Sequence, residues 1–346
     1  MAELDWGNLS FQYRKTNAII VSHYKDGQWS PLVASKDFDF HFSAFAGVFH
    51  YANACFEGLK AFRGVDGKVR LFRPDENARR IQSSGGHLDM AVPTEEMFIE
   101  ACVMCVKENI DFLPPYGYGA SMYLRPVLIG MNPQLGIASS TEVIFAVMCA
   151  PVGTYSGAKI LTPGTAVLSR DFDRAAPNGT GAFKIAANYA TSLHPYNLAH
   201  KQGYRELLFL DPATHTKIDE FGSSNFLAIK GNSYVTPLSN SVLPSITNKT
   251  LQAVAQDFGY TVEKRVVPVE ELCEFDEINA CGTAVVITPI CSIDDKPALG
   301  GSEVTKTIKV PSGDECGKVS RKFYDRIRGI QDGLEEDTHG WCLFLD

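Results

Sequence analysis

No stretch of this sequence approaches the roughly eighteen apolar residues of a membrane-spanning helix, and no block of Lys or Arg could neutralise a row of phosphates. Neither a membrane nor a nucleic acid is therefore expected as a partner. The opening residues, MAELDWGNLSFQYRK, mix charges and lack the apolar core of a signal peptide, so a cytoplasmic protein is expected. Nine cysteines, an odd number scattered from Cys55 to Cys342, lack the paired spacing of a secreted disulfide framework. Reduced thiols are the expectation. Cys102 and Cys105 form the one close pair, but no second pair or flanking His completes a zinc site. The eight histidines are dispersed, without H-E-x-x-H or H-x-H, so no metal is expected. Also missing are both glycine-rich nucleotide signatures, G-x-x-x-x-G-K-[ST] and G-x-G-x-x-G after a strand, and any internal repeat.

What is present is an ordinary globular composition: 346 residues, 45% hydrophobic and 21% charged, with a net charge of -8. At roughly 150 residues per domain, the length suggests about two. The first part alternates strands and helices. Apolar runs at Ala18–Ser22, Leu59–Arg63 and Val69–Phe72 read as strands, the last two joined by a hairpin at Asp66-Gly67. Arg73-Pro74-Asp75 opens a helix carrying Asn77, Arg80 and Ile81. Thr94 can cap another, whose Phe98, Ala101, Cys102, Cys105 and Val106 follow helical spacing, putting both close cysteines on a buried stripe. Strands at Ala120–Ile129 and Glu142–Cys149 follow. The Pro-, Gly- and Ser-rich residues 151–157 are the expected connection between a small N-terminal α/β domain (1–150) and a larger, strand-rich C-terminal domain (158–346). In that second part, strands are expected at Ala166–Ser169, Glu206–Asp211, Phe226–Ile229, Tyr234–Thr236 and Ala284–Thr288. Helices are expected at about Ile246–Phe258, ended by Gly259, and Cys316–Gln331. Pro195 falls in a helical stretch after Tyr189 and predicts a late start or a kink.

The segment Gly179-Thr180-Gly181-Ala182-Phe183-Lys184-Ile185-Ala186-Ala187-Asn188-Tyr189 sets a single lysine among small and apolar residues. Such a lysine can head a solvated loop; buried without a partner, it favours the neutral amine that attacks a carbonyl to form a Schiff base. Around it, in chain order, stand Phe56-Glu57-Gly58-Leu59-Lys60-Ala61-Phe62-Arg63-Gly64, Tyr123-Leu124-Arg125-Pro126, Glu220-Phe221-Gly222-Ser223-Ser224-Asn225, Leu243-Pro244-Ser245-Ile246-Thr247 and Gly282-Thr283-Ala284. This set resembles the branched-chain amino-acid aminotransferases, pyridoxal-phosphate enzymes of fold type IV, and the resemblance covers nearly the whole chain. It implies a two-domain α/β protein of the α+β type, whose C-terminal domain binds the cofactor.

By resemblance, Lys184 holds pyridoxal 5'-phosphate through its amine and then shuttles the proton between substrate and cofactor. Glu220 matches the carboxylate that keeps the pyridine nitrogen protonated. The phosphate is expected at Arg80, at the helix opened by Ile246 and Thr247, and at Thr283. Tyr189 matches the tyrosine beside the ring oxygen, and Ser223 completes the cofactor set. Substrate contacts are implied for Tyr51, Phe56, Tyr123 and Arg125, with the backbone of Thr283-Ala284 taking the alpha carboxylate. Tyr123 and Arg125, two apart in a strand, share a face, and an aromatic wall beside a cation suits both an aliphatic side chain and glutamate's carboxylate. The implied activity is reversible transamination of leucine, isoleucine or valine with 2-oxoglutarate, by a homodimer acting on small amino acids and 2-oxo acids. A D-amino-acid aminotransferase or an aminodeoxychorismate-lyase-like enzyme on this fold would share Lys184, Glu220 and Arg80 without the aromatic and arginine set. A cofactor-binding protein without turnover is a further reading. Some relatives carry Cys-x-x-Cys after the last motif's alanine; Val285 and Thr288 stand there here, so that form of thiol control is not expected.

Overall fold

The structure is a computed structural model that describes residues 3–153 and 161–345; residues 154–157 of the expected connection lie outside them. The chain forms two compact units: Met1–Gly157 with Phe183–Ala187 and Gly329–Asp346, and Ala158–Ala182 with Asn188–Arg328.

The first unit opens with β1 (Ile19–Lys25), β2 (Gln28–Trp29), β3 (Val33–Ser35), the short α1 (Gly47–Tyr51), β4 (Ala54–Phe56), β5 (Leu59–Arg63) and β6 (Val69–Phe72). Asp66-Gly67 makes the β5–β6 turn, with Gly67 at a φ of 75° that a side chain would resist. Helix α2 (Pro74–His87) has proline at its first position, where the absent N–H costs no bond. Helix α3 (Glu95–Glu108) is capped as the sequence predicts: Thr94 Oγ1 accepts from the Met97 N–H at 3.2 Å. Strands β7 (Ser121–Gly130) and β8 (Val143–Val152) complete this stretch. The sheet is antiparallel throughout. The predicted stripe of α3 packs in one core with Leu59, Leu71, Leu124 and Leu128. A second cluster gathers Ile19, Val21, Ile144 and Ala146 with Phe38, Phe40 and Phe42.

The second unit runs through β9 (Gly164–Leu168), most of α4 (Ala186–Lys201), β10 (Glu206–Leu210), β11 (Ile218–Phe221), β12 (Asn225–Lys230), β13 (Ser233–Pro237), α5 (Ile246–Asp257) and β14 (Thr261–Arg265). Then follow β15 (Glu277–Gly282), β16 (Val286–Asp295), β17 (Lys306–Lys309) and α6 (Lys318–Asp332). Its mixed sheet closes on itself, because β11, at one end of the order β11-β10-β9-β16-β15-β12, also pairs with β12. Each of those six strands sends two residues to one cluster, among them Ala166, Leu208, Phe221, Phe226, Ala280 and Ile293, as expected of a ring whose side chains alternate in and out.

Two expectations are corrected here. The strand read at Ala284–Thr288 begins only at Val286, residues 283–285 forming the turn from β15. Val286 itself sits at a φ of 67°, a conformation β-branched residues avoid. Helix α4 starts before Tyr189, not late, and continues through Pro195, whose missing N–H costs one ladder bond. The buried stripe Asn188, Ser192, Pro195 and Ala199 passes through the proline, so packing sets the helix despite that loss. The division by residue number also differs from the expected 158–346. Residues 183–187 join the first unit through a bridge between Cys55 and Ile185, and the C-terminal strand β18 (Cys342–Leu345) joins it by pairing with β6.

Candidate active site

In the first unit the strand alternation of β7 decides which side chains meet. Met122 and Leu124 are buried in the core, while Tyr123 and Arg125 share the other face, with Arg125 Nη2 at 3.1 Å from the Tyr123 hydroxyl. The Arg125 guanidinium lies over the Phe56 ring at 4.7 Å, and Lys184 Nζ lies 4.8 Å from the same ring's centre, so both side-chain heads meet one ring. Arg125 Nε is buried without a hydrogen-bond partner among the described residues. Gly58 makes room for this wall, since a Cβ there would stand 2.1 Å from the Tyr123 hydroxyl.

The backbone of Lys184 is pinned on both sides: its N–H donates to Ser84 Oγ at 2.9 Å, and its carbonyl accepts from the Phe56 N–H at 3.1 Å. Next to it, the Phe183 ring stacks on His87 with centres 3.8 Å apart. Arg80 and Ser84, one turn apart on α2, thus occupy adjacent rungs of one helix. Arg80 forks onto Glu57, Nε and Nη2 each 2.7 Å from a carboxylate oxygen, and Asn77 Nδ2 adds a third bond at 2.7 Å. The Tyr51 hydroxyl donates to the Leu135 carbonyl, and its ring lies beside His50.

In the second unit Glu220 is the centre of a buried network. Its Oε1 accepts from Arg174 Nη2 at 2.8 Å and from the Leu243 N–H at 3.1 Å; Oε2 accepts from Asn225 Nδ2. Burial pushes the Glu220 carboxyl above its ordinary range, and the Arg174 charge is the strongest influence pulling it back. Cys281, paired in register with Asn225, has its thiol pushed up by burial and by the Glu220 charge. Asn225 Oδ1 accepts from Asn248 Nδ2 at 3.2 Å on α5, whose cap is Ser245, accepting from the Asn248 N–H. Ile246 and Thr247 therefore open a 12-residue helix whose first N–H groups face outward along its axis. Thr283 and Ala284 lie in the β15–β16 turn, and Tyr189 is half-buried on α4. Ser223 is exposed, whereas its neighbour Ser224 has a buried Oγ without a partner among the described residues.

Sequence reasoning missed Glu57, Arg174 and a role for Asn225. Glu57 and Asn225 stand inside motifs that the sequence makes conspicuous, but each takes its place through a partner 23 residues or fewer away in sequence that spacing alone does not identify. Arg174 lies in the charged stretch Arg170-Asp171-Phe172-Asp173-Arg174, which no motif singles out, and is nearly buried, its side chain 9% exposed.

The fold is that of a class IV aminotransferase: the model of the amino-transferase class IV family matches residues 54–293, and the chain belongs to that family. Among particular proteins, it is 42% identical to a branched-chain-amino-acid aminotransferase of Helicobacter pylori (strain J99), across 99% of this chain and 98% of that one. It is 43% identical to the branched-chain-amino-acid aminotransferase of Haemophilus influenzae, across the full length of both. The solved structure of the Escherichia coli branched-chain amino acid aminotransferase superposes with a TM-score of 0.76 at 27% identity, covering 96% of this chain and 100% of that one. The fold is therefore the type IV aminotransferase fold, and the chain is an enzyme of that class. Among the described residues no helix is long and apolar enough to cross a membrane.

Proposed function

We propose that this enzyme reversibly transfers the amino group between L-leucine, L-isoleucine or L-valine and 2-oxoglutarate, using pyridoxal 5'-phosphate held on Lys184. The observation that carries the reading is the wall formed by Phe56, Tyr123 and Arg125 beside the Lys184 amine. Its two rings suit a branched aliphatic side chain, and the unpartnered Arg125 Nε suits the extra carboxylate of glutamate.

The donor set fits the cofactor. A phosphate needs several N–H and O–H donors with positive charge. Arg80, the open end of α5 at Ile246 and Thr247, Thr283, and the Ser223–Ser224 hydroxyls supply that chemistry, Ser224 Oγ being buried without a partner among the described residues. When bound, pyridoxal phosphate supplies a carbonyl that condenses with amines and a protonated ring that accepts electrons. Lys184 Nζ is the amine for that condensation, and once released it is a tethered base able to carry a proton. Glu220 is the acceptor for the ring N–H, Tyr189 the donor to the ring oxygen, and the Thr283-Ala284 turn the seat for the alpha carboxylate. Tyr51 belongs with the pocket lining on this reading.

A cytoplasmic homodimer is part of the proposal. Phe45, Phe49, Leu135 and Ile137 are all more than half exposed in the single chain, and the Gln134 N–H to Phe45 carbonyl bond brings their two loops together, as expected of a face covered by a second copy.

Borohydride reduction of the loaded enzyme followed by peptide mapping should label Lys184. Half-reactions with leucine and glutamate, followed by cofactor absorbance, should both proceed. In Arg125→Met, glutamate's rate constant should fall roughly tenfold to a hundredfold, the loss of a hydrogen bond to a charged group, with leucine's little changed. A label elsewhere, or inertness toward both amino acids, would overturn the reading.

A further inference from the structure

Gly181 and the charged stretch before it converge on one side chain, Arg174. Gly181 lies where a Cβ would come within 2.5 Å of the Ser241 Cα, so only glycine lets those two backbones approach. Both of their carbonyls accept from Arg174 Nη2, which also meets Glu220 Oε1 at 2.8 Å. The guanidinium is thus fixed by backbone on one side and by a carboxylate, its side chain 4% exposed, on the other.

We infer that Arg174 is a positioning residue for the transamination proposed above: it keeps Glu220 ionised and turned so that one acceptor position remains for a single N–H donor. Each carboxylate oxygen offers about two lone-pair positions. Arg174 and the Leu243 N–H fill those of Oε1, while among the described residues Oε2 carries the bond from Asn225 alone. One position is left, on Oε2. On the reading above its donor is the protonated pyridine nitrogen.

Charge points the same way. Besides Arg174, the groups facing Glu220 are Asp219 on the same strand and Cys281 on β15. Asp219 opposes ionisation of Glu220, and the Cys281 thiol, itself pushed up, contributes no cation. Burial alone moves a carboxyl up by as much as roughly 3 to 5 on the pH scale, and an adjacent opposite charge brings it down by about 1 to 3. Arg174 is the cation that offsets burial. Without it burial is opposed only by the bonds from Asn225 and the Leu243 N–H, and the charge that would keep the ring nitrogen protonated is weakened.

The test uses the full-length enzyme loaded with pyridoxal phosphate carrying 15N in the ring, as wild type, Arg174→Gln and Arg174→Lys. The 15N shift against pH reports ring protonation independently of turnover, and kcat/KM for leucine is measured over the same pH range. Wild type should show a protonated nitrogen from about pH 6.5 to about 8.5. Arg174→Gln should show it unprotonated at pH 7 and gaining a proton only at lower pH, with kcat/KM for leucine reduced across the whole range. Arg174→Lys, keeping the charge, should retain the wild-type profile. An Arg174→Gln enzyme with the wild-type nitrogen signal and pH profile, merely slower or less stable, overturns the inference. If that variant does not fold, Arg174→Lys decides: a wild-type nitrogen signal supports the inference and an unprotonated one overturns it. A wild-type protein that takes up no pyridoxal phosphate, or holds it with the nitrogen unprotonated, overturns the proposed function as well.

Discussion

Glu57 and Glu206 show that burial alone does not determine what a carboxylate costs. Glu57 is fully buried, yet both its oxygens are bonded to Arg80 and Oε2 also to Asn77. Glu206, at the start of β10, has an Oε2 that is equally shut off from water and has no partner among the described residues. Burial pushes its carboxyl up to about 7, with Arg205 pulling weakly the other way. A carboxyl whose folded value lies above its unfolded value near 4.5 prefers to be protonated in the folded state. It therefore adds no penalty below about pH 4.5; the penalty grows as pH rises through that window and levels off above about 7. Glu206→Gln should leave stability nearly unchanged at pH 5 and raise it at pH 8 by roughly 1 to 3 kcal/mol, since each tenfold change in a protonation equilibrium is worth about 1.4 kcal/mol. Urea unfolding of both proteins at the two pH values measures this. A gain that is the same at pH 5 and pH 8 would show that the charge of Glu206 is not what is being relieved.

At the scale of elements, α3 is the clearest case of local sequence acting alone. Thr94 supplies one cap bond, Glu95 and Glu96 place negative charge in the first turn, and the five residues read as its buried stripe are the five buried ones. Thr94→Ala should destabilise the protein by about 1 kcal/mol, seen as a lowered urea midpoint with an unchanged slope; a changed slope would mean that more than a cap had been lost. The β5–β6 hairpin, α2 and α5 were legible for the same reason: a turn dipeptide, a first-position proline and a terminal Gly259 are local signals. What depends on distant partners was not. The turn at 283–285 interrupts an apolar run that reads as continuous strand, and β18 is a strand because β6 lies open to it, a fact no local pattern carries. The candidate site divides along the same line. Lys184, Glu220, Arg80 and the Tyr123–Arg125 pair are proposed from ordered motifs, whereas Glu57 and Arg174, which bond Arg80 and Glu220, are visible only in three dimensions.

Across the whole molecule, the cysteines test whether thiols take any part in the protein's control. All nine are unpaired, and their exposure is uneven: Cys55, Cys102, Cys105, Cys149 and Cys281 are buried, Cys291, Cys316 and Cys342 are partly covered, and Cys273 is exposed. Reactivity follows the thiolate, and burial suppresses it. Burial is the leading cause that pushes up Cys55, Cys102 and Cys281; it also raises Cys316 to about 11 and Cys342 to about 12, while Cys105 is raised first by its hydrogen bond with Cys149. Beside the β15–β16 turn, Val285 and Thr288 offer no thiol. Titration of the native protein with a disulfide reagent at pH 8 should therefore give one fast thiol, Cys273, and up to three slow ones, with all nine reacting only after unfolding. Cys273→Ser should abolish the fast phase and leave turnover unchanged, and mild peroxide followed by thiol reductant should cause no reversible swing in activity. The arrangement most able to contradict this is Cys105 with Cys149, two buried thiols in hydrogen-bond contact between α3 and β8. A disulfide mapped to that pair, accompanied by a reversible loss of activity, would show that oxidant reaches the core of the first unit and that thiol control operates there.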